Sequence, residues 1–237
     1  METQKLDYYD NNVALEAYIA YPKDMTTPRP AVLIAHDWSG RNAFACNKAD
    51  QLAAMGYVGC AIDMYGKGVL GETKEQKQAL IAPFLANPAY LQQRITAAFT
   101  AISQLDKVAS QRIAAIGFCF GGLCVINLAC SDVAIQGVVS FHGLLGLAKG
   151  LSKNKITAKV LALHGHNDPM VTPEDVALFE QEMTAADADW QLTVYGNTMH
   201  GFTNPQANDP VFGTVYNEVV TKRAWVSMQN FLAEVLM

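Results

Sequence analysis

Hydrophobic residues recur along the chain with two spacings, and the first of these predicts strands. Residues 13–21 (VALEAYIAY) alternate apolar with polar or small positions, as a half-buried strand does. Residues 31–36 (AVLIAH) form a continuous apolar run, which is typical of a strand covered on both faces. We therefore expect an edge ribbon that leads into a central sheet, whose further strands are residues 57–66, 112–118, 135–143, 159–168 and 190–196.

The second spacing is helical and separates the predicted strands. In residues 172–188, Thr172 is placed to cap the first turn and Pro173 fits the first helical position. Residues 67–88 are less regular and predict an excursion with one short helix, a common kind of roof over a site. Strands that alternate with helices indicate a mainly parallel sheet covered on both faces, with ligands at the carboxyl ends of the strands. The other predicted helices are residues 42–56, 89–105, 122–130 and most of 212–236.

Composition narrows the class of protein. Of the 237 residues, 51% are hydrophobic and only 16% are charged, so we interpret residues 1–237 as one globular domain with a large core. The net charge is -5 and Lys and Arg do not cluster, so neither nucleic acid nor an anionic membrane is an expected partner. No apolar run is long enough for a membrane span or a secretory signal, and five irregularly spaced cysteines suit a reducing compartment. We expect a cytoplasmic protein.

One cysteine stands in an unusual setting, the sequence IAAIGFCFGGLC of residues 113–124. A nucleophile on a sharp turn from strand to helix takes a strained backbone conformation, and the residues two positions away on either side must be small. Gly117 and Gly121 provide that space around Cys119. The start of a helix also favours a thiolate. The alternative is an ordinary buried cysteine in a turn that contains glycines.

A nucleophile on such an elbow requires an acid and then a histidine, in that order, each in a loop after a later strand. Asp168 follows one predicted strand and His200 follows the next. His200 would take the proton of the thiol, and Asp168 would hold the imidazole in the useful tautomer. Taken singly, Asp168 before Pro169 could simply begin a turn, and His200 could be a loop histidine with one hydrogen bond.

The remaining histidines suggest no metal site. His164 and His166 point to the same side of one strand, but no carboxylate or third histidine has ligand spacing, so we predict no bound metal. His36 and His142 also follow strands. We interpret both as hydrogen-bonded supports of their loops.

The motifs GFCFGG, HGHNDP and MHGF, preceded by LIAHDWSGRN, resemble those of the dienelactone hydrolases, and the similarity covers nearly the whole chain. The resemblance implies an α/β-hydrolase fold, with a mainly parallel sheet of about eight strands, helices on both faces and little or no lid domain. It also implies a triad of Cys119, Asp168 and His200 that opens esters or lactones without a cofactor.

Three residues near the nucleophile take roles from the same resemblance. The backbone amides of Phe120 and Trp38 would form the oxyanion hole, each donor worth about 3 kcal/mol. Dienelactone hydrolases have a glutamate in the early loop that helps to ionise the thiol, and this chain has Asp37 there. Because Asp37 is one methylene shorter, a local turn bond is an equally good interpretation of it.

The expected substrate pocket departs from the family pattern. The family binds the carboxylate of its substrate with arginines, but Asn204 occupies one of those positions and residues 67–88 contain no arginine. Arg41 and Arg94 are near in sequence but do not match the family positions. Aromatic residues remain, so we predict neutral aryl or hydrophobic esters as substrates. The predicted substrate contacts are Trp38, Tyr65 and Phe202.

The sequence therefore predicts a carboxylic-ester or lactone hydrolase that works through a thioester at Cys119, as a monomer or homodimer, with phosphotriesters as a weaker second substrate class. Two alternatives stay open. One is a different cysteine enzyme, amidotransferase-like or isomerase-like, whose thiol also lies on an elbow. The other is a non-catalytic binding protein on the hydrolase scaffold.

Overall fold

A computed structural model describes residues 1–146 and 155–237, and its centre is an eight-stranded sheet. The strand order is β1-β2-β4-β3-β5-β6-β7-β8. The pairs β1·β2 and β2·β4 are antiparallel and all others are parallel. The strands are β1 (Glu2–Asp10), β2 (Val13–Tyr21), β3 (Arg29–Ala35), β4 (Val58–Ala61), β5 (Val108–Phe118), β6 (Gly137–Phe141), β7 (Lys159–Gly165) and β8 (Trp190–Tyr195).

Six helices are described, and they cover both faces of the sheet. They are α1 (Ala43–Ala54), α2 (Lys74–Ala86), α3 (Pro88–Ser103), α4 (Phe120–Ala129), α5 (Pro173–Ala185) and α6 (Glu218–Val235). Alternate residues of β3 belong to the two layers, because Leu33 is part of the core that contains residues of α3, α4 and α5, and Ile34 is part of the core that contains residues of α1 and α6. A mainly parallel sheet covered on both faces is what the sequence predicted.

The helix starts follow local sequence signals. Thr172 caps α5 and forms a capping box with Asp175, and Pro173 occupies the first helical position, as predicted. The excursion of residues 67–88 contains one helix, α2, which Thr73 and Gln76 begin with a second capping box. At 13 residues α2 is longer than expected. The last helix begins at Glu218, later than predicted, because a two-residue ladder of β9 (Asn208–Asp209) and β10 (Thr214–Val215) precedes it.

Strand β1 was not predicted from the sequence. Its side chains are mostly exposed on both faces, so its hydrophobic pattern is weak, and its place in the fold comes from antiparallel pairing with β2 along its whole length. In the part of the chain that is described, no helix has the length and apolar character of a membrane span.

A buried lysine lies between the sheet and α6. Lys48 of α1 is 8% exposed and its ammonium group is 4.5 Å from the ring centre of Trp225 and 5.1 Å from that of Phe44. Burial lowers the pKa of Lys48 from 10.5 to about 8. Between pH 8 and pH 10.5 the unfolded chain therefore binds more protons than the folded chain, so the free energy of unfolding rises with pH across this range. The contribution of Lys48 to stability is most unfavourable below pH 8.

Replacing Lys48 by methionine is thus expected to stabilise the fold at pH 7, by about 1 kcal/mol or more, because the desolvation of the ammonium group disappears. Denaturant unfolding at pH 7 and at stepwise higher pH measures this, and the gain should shrink as the pH rises from 8 towards 10. Lys222→Met is the control, because Lys222 is exposed on α6. A loss of stability at pH 7 would mean that the contacts with the aromatic rings outweigh the cost of burial.

Candidate active site

Cys119 lies at the turn between β5 and α4, at the carboxyl edge of the sheet. Its φ is 55° and its ψ is -118°, a strained conformation for a residue with a side chain. The amide of Cys119 donates to the carbonyl of Phe141 at 3.1 Å, so the turn is joined to the end of β6. The thiol is half-buried, and the amides of the first turn of α4 follow it directly. This is the elbow that the glycine spacing predicted.

The glycines of the elbow leave no room for side chains. A Cβ at Gly117 would lie 2.0 Å from the carbonyl oxygen of Gly121, and a Cβ at Gly121 would lie 2.1 Å from that of Ala35. Both obstacles are backbone atoms, which cannot rotate aside as a flexible side chain does. The two glycines therefore allow α4 to approach the central strands closely.

Gly121→Ala is accordingly expected to lower the free energy of unfolding by about 3 kcal/mol, since the new methyl group displaces α4 or β3. Urea denaturation measures the loss. Gly196→Ala is the matched control, because nothing lies within 4 Å of a Cβ built there. Equal stabilities of the two variants would show that the elbow relaxes at no cost.

The structure brings Asp168 and His200 together. Asp168 follows β7 and His200 follows β8, and Nδ1 of His200 lies 2.7 Å from Oδ2 of Asp168. The other carboxylate oxygen of Asp168 accepts the amide of Met170 at 2.8 Å. The amide of His200 donates to the carbonyl of Gly213, and its carbonyl accepts the amide of Val215. Both side chains are buried and held in fixed orientations.

The charge state of His200 depends on its two neighbours. Burial lowers the pKa of its imidazole, but the negative charges and hydrogen-bonding groups of Cys119 and Asp168 outweigh burial and raise it to about 10. Nε2 is buried and has no hydrogen bond of normal geometry to any described residue. Nε2 is therefore not committed to another described residue.

A cavity of about 280 Å³ opens in front of these side chains. Its wall includes Cys119 and His200 together with Trp38, whose indole stacks on Phe212 at 5.5 Å between ring centres. Phe44, Phe118, His142, Thr203 and Asn204 also line the cavity.

The two backbone amides of the sequence-predicted oxyanion hole have no hydrogen-bond partner among the described residues. Neither the amide of Phe120 nor that of Trp38 donates a hydrogen bond to another residue of the described ranges. Phe120 is the first residue of α4, where amides lack intrahelical partners. Asp37 lines the same cavity, but its Oδ1 accepts the amide of Ser39 at 2.8 Å, the local turn bond that was the alternative interpretation. No hydrogen bond joins Asp37 to Cys119 among the described contacts.

Of the three predicted substrate contacts, only Trp38 lines the cavity. Phe202 is fully buried and packs edge-on against His142, so it forms core beneath the site and not its surface. Tyr65 does not line the cavity either; it is partly buried against the core, and its hydroxyl donates to the carbonyl of Trp38 at 3.1 Å. Aromatic type alone did not distinguish wall residues from the layer behind them.

The two histidines interpreted as loop supports have that role. Nδ1 of His36 lies 2.6 Å from the carbonyl oxygen of Asp37, and Nε2 of His142 lies 2.8 Å from the hydroxyl of Thr203. His142 also lines the cavity, with its ring centre 5.1 Å from that of His200. Within residues 1–146 and 155–237 no cluster of three or more metal-ligating side chains occurs, and His166 is exposed whereas His164 is buried.

Comparison with known proteins decides the family. Residues 15–236 match the sequence profile of the dienelactone hydrolase family. The chain belongs to this family. Its sheet is the α/β-hydrolase fold, and no separate lid is evident in the described part of the chain. Membership makes the chain an ester- or lactone-hydrolysing enzyme.

Individual members show how near the relatives are. A crystal structure of a dienelactone hydrolase-like promiscuous phosphotriesterase from metagenomic libraries superposes with a TM-score of 0.94 at 29% identity, covering 100% of this chain and 99% of the other. A probable 2-oxo-3-(5-oxofuran-2-ylidene)propanoate lactonase of Bradyrhizobium is 25% identical over 94% of this chain and 92% of its own. A putative carboxymethylenebutenolidase of Yersinia pestis is 26% identical over 79% of this chain and 74% of its own.

Compared with the dienelactone hydrolase pattern, the cations at this cavity come from an unexpected helix. Asn204 lines the wall, while Arg41 and Arg94 are engaged elsewhere with Glu16 and Asp10. Lys74 and Lys77 of α2 reach the cavity instead. The excursion was expected to roof the site, but nothing in its sequence showed which turn of α2 faces the thiol.

Proposed function

We propose that this enzyme hydrolyses carboxylic esters and lactones through a thioester acyl-enzyme at Cys119. The observation that carries the proposal is that Cys119 and His200 line the same cavity. The half-buried thiol of Cys119 lies on a strained elbow, and Nδ1 of His200 is held by the buried carboxylate of Asp168 at 2.7 Å. In such an arrangement the thiol is the nucleophile, the imidazole exchanges protons and the carboxylate orients the imidazole.

In the acylation step the Cys119 thiol gives its proton to Nε2 of His200. Its sulfur then attacks the substrate carbonyl. The negative charge that develops on the carbonyl oxygen is stabilised by the amides of Phe120 and Trp38. His200 then gives its proton to the leaving oxygen as the carbon–oxygen bond breaks. In deacylation, neutral His200 takes a proton from water, the resulting hydroxide attacks the thioester, and the thiol leaves with that proton.

The cavity wall favours aryl esters and lactones, because Trp38, Phe44, Phe118 and Phe212 offer flat apolar surfaces. Lys77 adds a cation that pairs with no carboxylate among the described residues, and it lies over the ring of Trp38 at 5.6 Å. A substrate with a carboxylate would thus meet one partner at the wall, contrary to the expectation of a neutral pocket.

Phosphotriesters are a second candidate substrate class, favoured by the similarity over the full chain to a protein described as a promiscuous phosphotriesterase. The same sulfur would attack phosphorus as the bond from phosphorus to the leaving oxygen breaks, His200 would give its proton to that oxygen, and the same two amides would face the phosphoryl oxygen.

The test is a panel of p-nitrophenyl esters, aryl lactones, a matched pair of neutral and carboxylated aryl esters, and paraoxon, with mass spectrometry of the intact protein after rapid quenching. We expect ester turnover and a protein adduct with the mass of the acyl group on the peptide that contains Cys119. No hydrolysis of any ester or lactone would overturn the proposal. Turnover of glutamine or glyoxal without esterase activity would favour a different cysteine enzyme, amidotransferase-like or isomerase-like. The absence of any turnover would favour a non-catalytic binding protein. A cytoplasmic location and a monomeric or homodimeric state belong to the same proposal.

A further inference from the structure

The peptide group that joins Asp37 to Trp38 is held from behind by a buried side chain. Nδ1 of His36 lies 2.6 Å from the carbonyl oxygen of Asp37, and His36 is 1% exposed. The next carbonyl, that of Trp38, accepts the hydroxyl of Tyr65 at 3.1 Å. The carbonyls of Asp37 and Trp38 are therefore both tethered, that of Asp37 also by the amide of Gly40 at 3.3 Å, while the Trp38 amide between them donates to no described residue.

Tethering the carbonyl of Asp37 also fixes the direction of the Trp38 amide. The two belong to one peptide group, and no described peptide is cis. In a planar trans peptide the C=O and N–H bonds point in opposite directions. A hydrogen bond that directs the Asp37 carbonyl towards the His36 ring therefore directs the Trp38 N–H away from that ring. Asp37 and Trp38 both line the cavity.

The hydrogen bonds of His36 define its tautomer. Its Nε2 accepts the backbone amide of Met64 at 3.2 Å, so Nε2 carries no proton and Nδ1 is the donor to Asp37. Burial lowers the pKa of His36, which keeps the ring neutral. Asp63 and Asp37 are the acids near it and Arg41 is the cation.

The support behind His36 is rigid. The carbonyl of Met64 accepts Nη1 of Arg94 at 2.6 Å, and Nε of Arg94 donates to Asp10 at 2.7 Å. Arg94 and Asp10 are both buried. Asp63 accepts the amides of Tyr65 and Gly66 and so holds the same loop after β4. The loop that carries the proposed oxyanion donor thus rests, through His36, on a buried ion pair.

We propose that His36 is a positioning residue that aims the Trp38 amide at the oxyanion, with Tyr65 as its second support. The inference rests on the proposed function, because only a reaction that develops charge on a carbonyl or phosphoryl oxygen uses this amide. His36 is not among the residues that line the cavity in front of Cys119. Its effect is confined to the step in which that oxygen becomes negative.

The test compares His36→Leu with His36→Asn. Leucine keeps the bulk but removes the donor, whereas the Asn amide nitrogen takes the place of Nδ1 and keeps the bond to Asp37. Acylation is measured as the first-turnover release of p-nitrophenolate, and thiol reactivity as alkylation by iodoacetamide, a displacement at a CH₂ carbon that creates no oxyanion. We expect His36→Leu to lower kcat and the acylation rate by about 30-fold, since losing one oxyanion donor entirely costs about 10²–10³-fold. KM and the alkylation rate should stay near those of the wild type, and His36→Asn should recover most of the loss.

Three results would overturn the inference: an unchanged acylation rate in His36→Leu, an alkylation rate that falls as much as the acylation rate, or a His36→Asn variant as slow as His36→Leu. If His36→Leu does not fold, Tyr65→Phe decides, because it removes only the hydroxyl that holds the Trp38 carbonyl. A fall of about threefold in acylation with unchanged alkylation supports the inference, and no fall overturns it. If the wild type itself releases no p-nitrophenolate although iodoacetamide alkylates Cys119, the proposed function fails, and the inference that rests on it falls with it.

Discussion

Replacing Cys119 by alanine is expected to lower kcat for p-nitrophenyl ester hydrolysis by about 10⁴-fold or more, because no other group in the cavity offers a nucleophile at that position. The acyl-enzyme adduct should disappear with the activity. KM should change little, since the aromatic walls that bind the substrate remain. Steady-state kinetics and intact-protein mass spectrometry measure these effects.

The matched control for this substitution is Cys46→Ala. Cys46 and Cys119 are the two half-buried thiols of the described residues, whereas Cys60, Cys124 and Cys130 are buried. Burial raises the pKa of Cys46, although Arg41 beside it acts in the opposite direction, so its thiol should react slowly. Wild-type turnover in Cys46→Ala together with its loss in Cys119→Ala would assign the nucleophile. Substantial turnover by Cys119→Ala would exclude a thioester mechanism at this residue.

Alanine at position 119 also tests whether the strained turn stays folded when the thiol is removed. Cys119 has a positive φ, and the close approach of Gly121 to the Ala35 carbonyl fixes the path of the chain. Alanine can be held in the same conformation by the same neighbours, so we expect the variant to stay folded. Loss of activity without loss of stability would then separate the chemistry from the fold.

The parallel part of the fold was predictable because its strands are short runs rich in apolar residues, which in β8 alternate with polar ones. The paired residues of β3, β4, β5 and β6 are mostly buried, so their sequences need no solvent-facing alternation. The order of Cys119, Asp168 and His200 was predictable for a related reason: each follows one of these runs, and the carboxyl ends of parallel strands meet at one edge. Strand β1 was missed because most of its residues are exposed.

The substrate wall was less predictable than the triad. Tyr65 and Phe202 follow Asp63 and His200 closely in sequence, yet neither lines the cavity, because Phe202 is fully buried and Tyr65 packs partly buried against the core. Lys74 and Lys77 of α2 line the cavity together with Asp209, with which Lys74 forms an ion pair at 2.8 Å. No pattern within residues 67–88 indicates that partner, which lies far along the chain.

Asp168→Asn is expected to lower kcat by about 10²–10⁴-fold, because it reverses the tautomer of His200. Oδ1 of Asp168 accepts the amide of Met170, so an asparagine keeps its oxygen there and turns its NH₂ group towards Nδ1 of His200. That nitrogen must then accept, and the proton of the neutral imidazole moves to Nε2, the atom that should receive the proton of the thiol. A thiol needs less help to ionise than a hydroxyl, so we expect a loss towards the lower end of the range.

The pH profile separates this mechanism from simple disorder of the site. Asp168 is one of the groups that raise the pKa of His200 to about 10, so removing its charge should move the basic limb of the kcat/KM profile to lower pH. Asp187→Asn is the control, since Asp187 is exposed and pairs with Lys155 at the surface. A variant that loses activity while its basic limb stays near pH 10 would show that Asp168 supports the loop but not the charge of His200. If the basic limb moves in Asp168→Asn but not in Asp187→Asn, the carboxylate of Asp168 helps His200 to hold the proton that the leaving group receives.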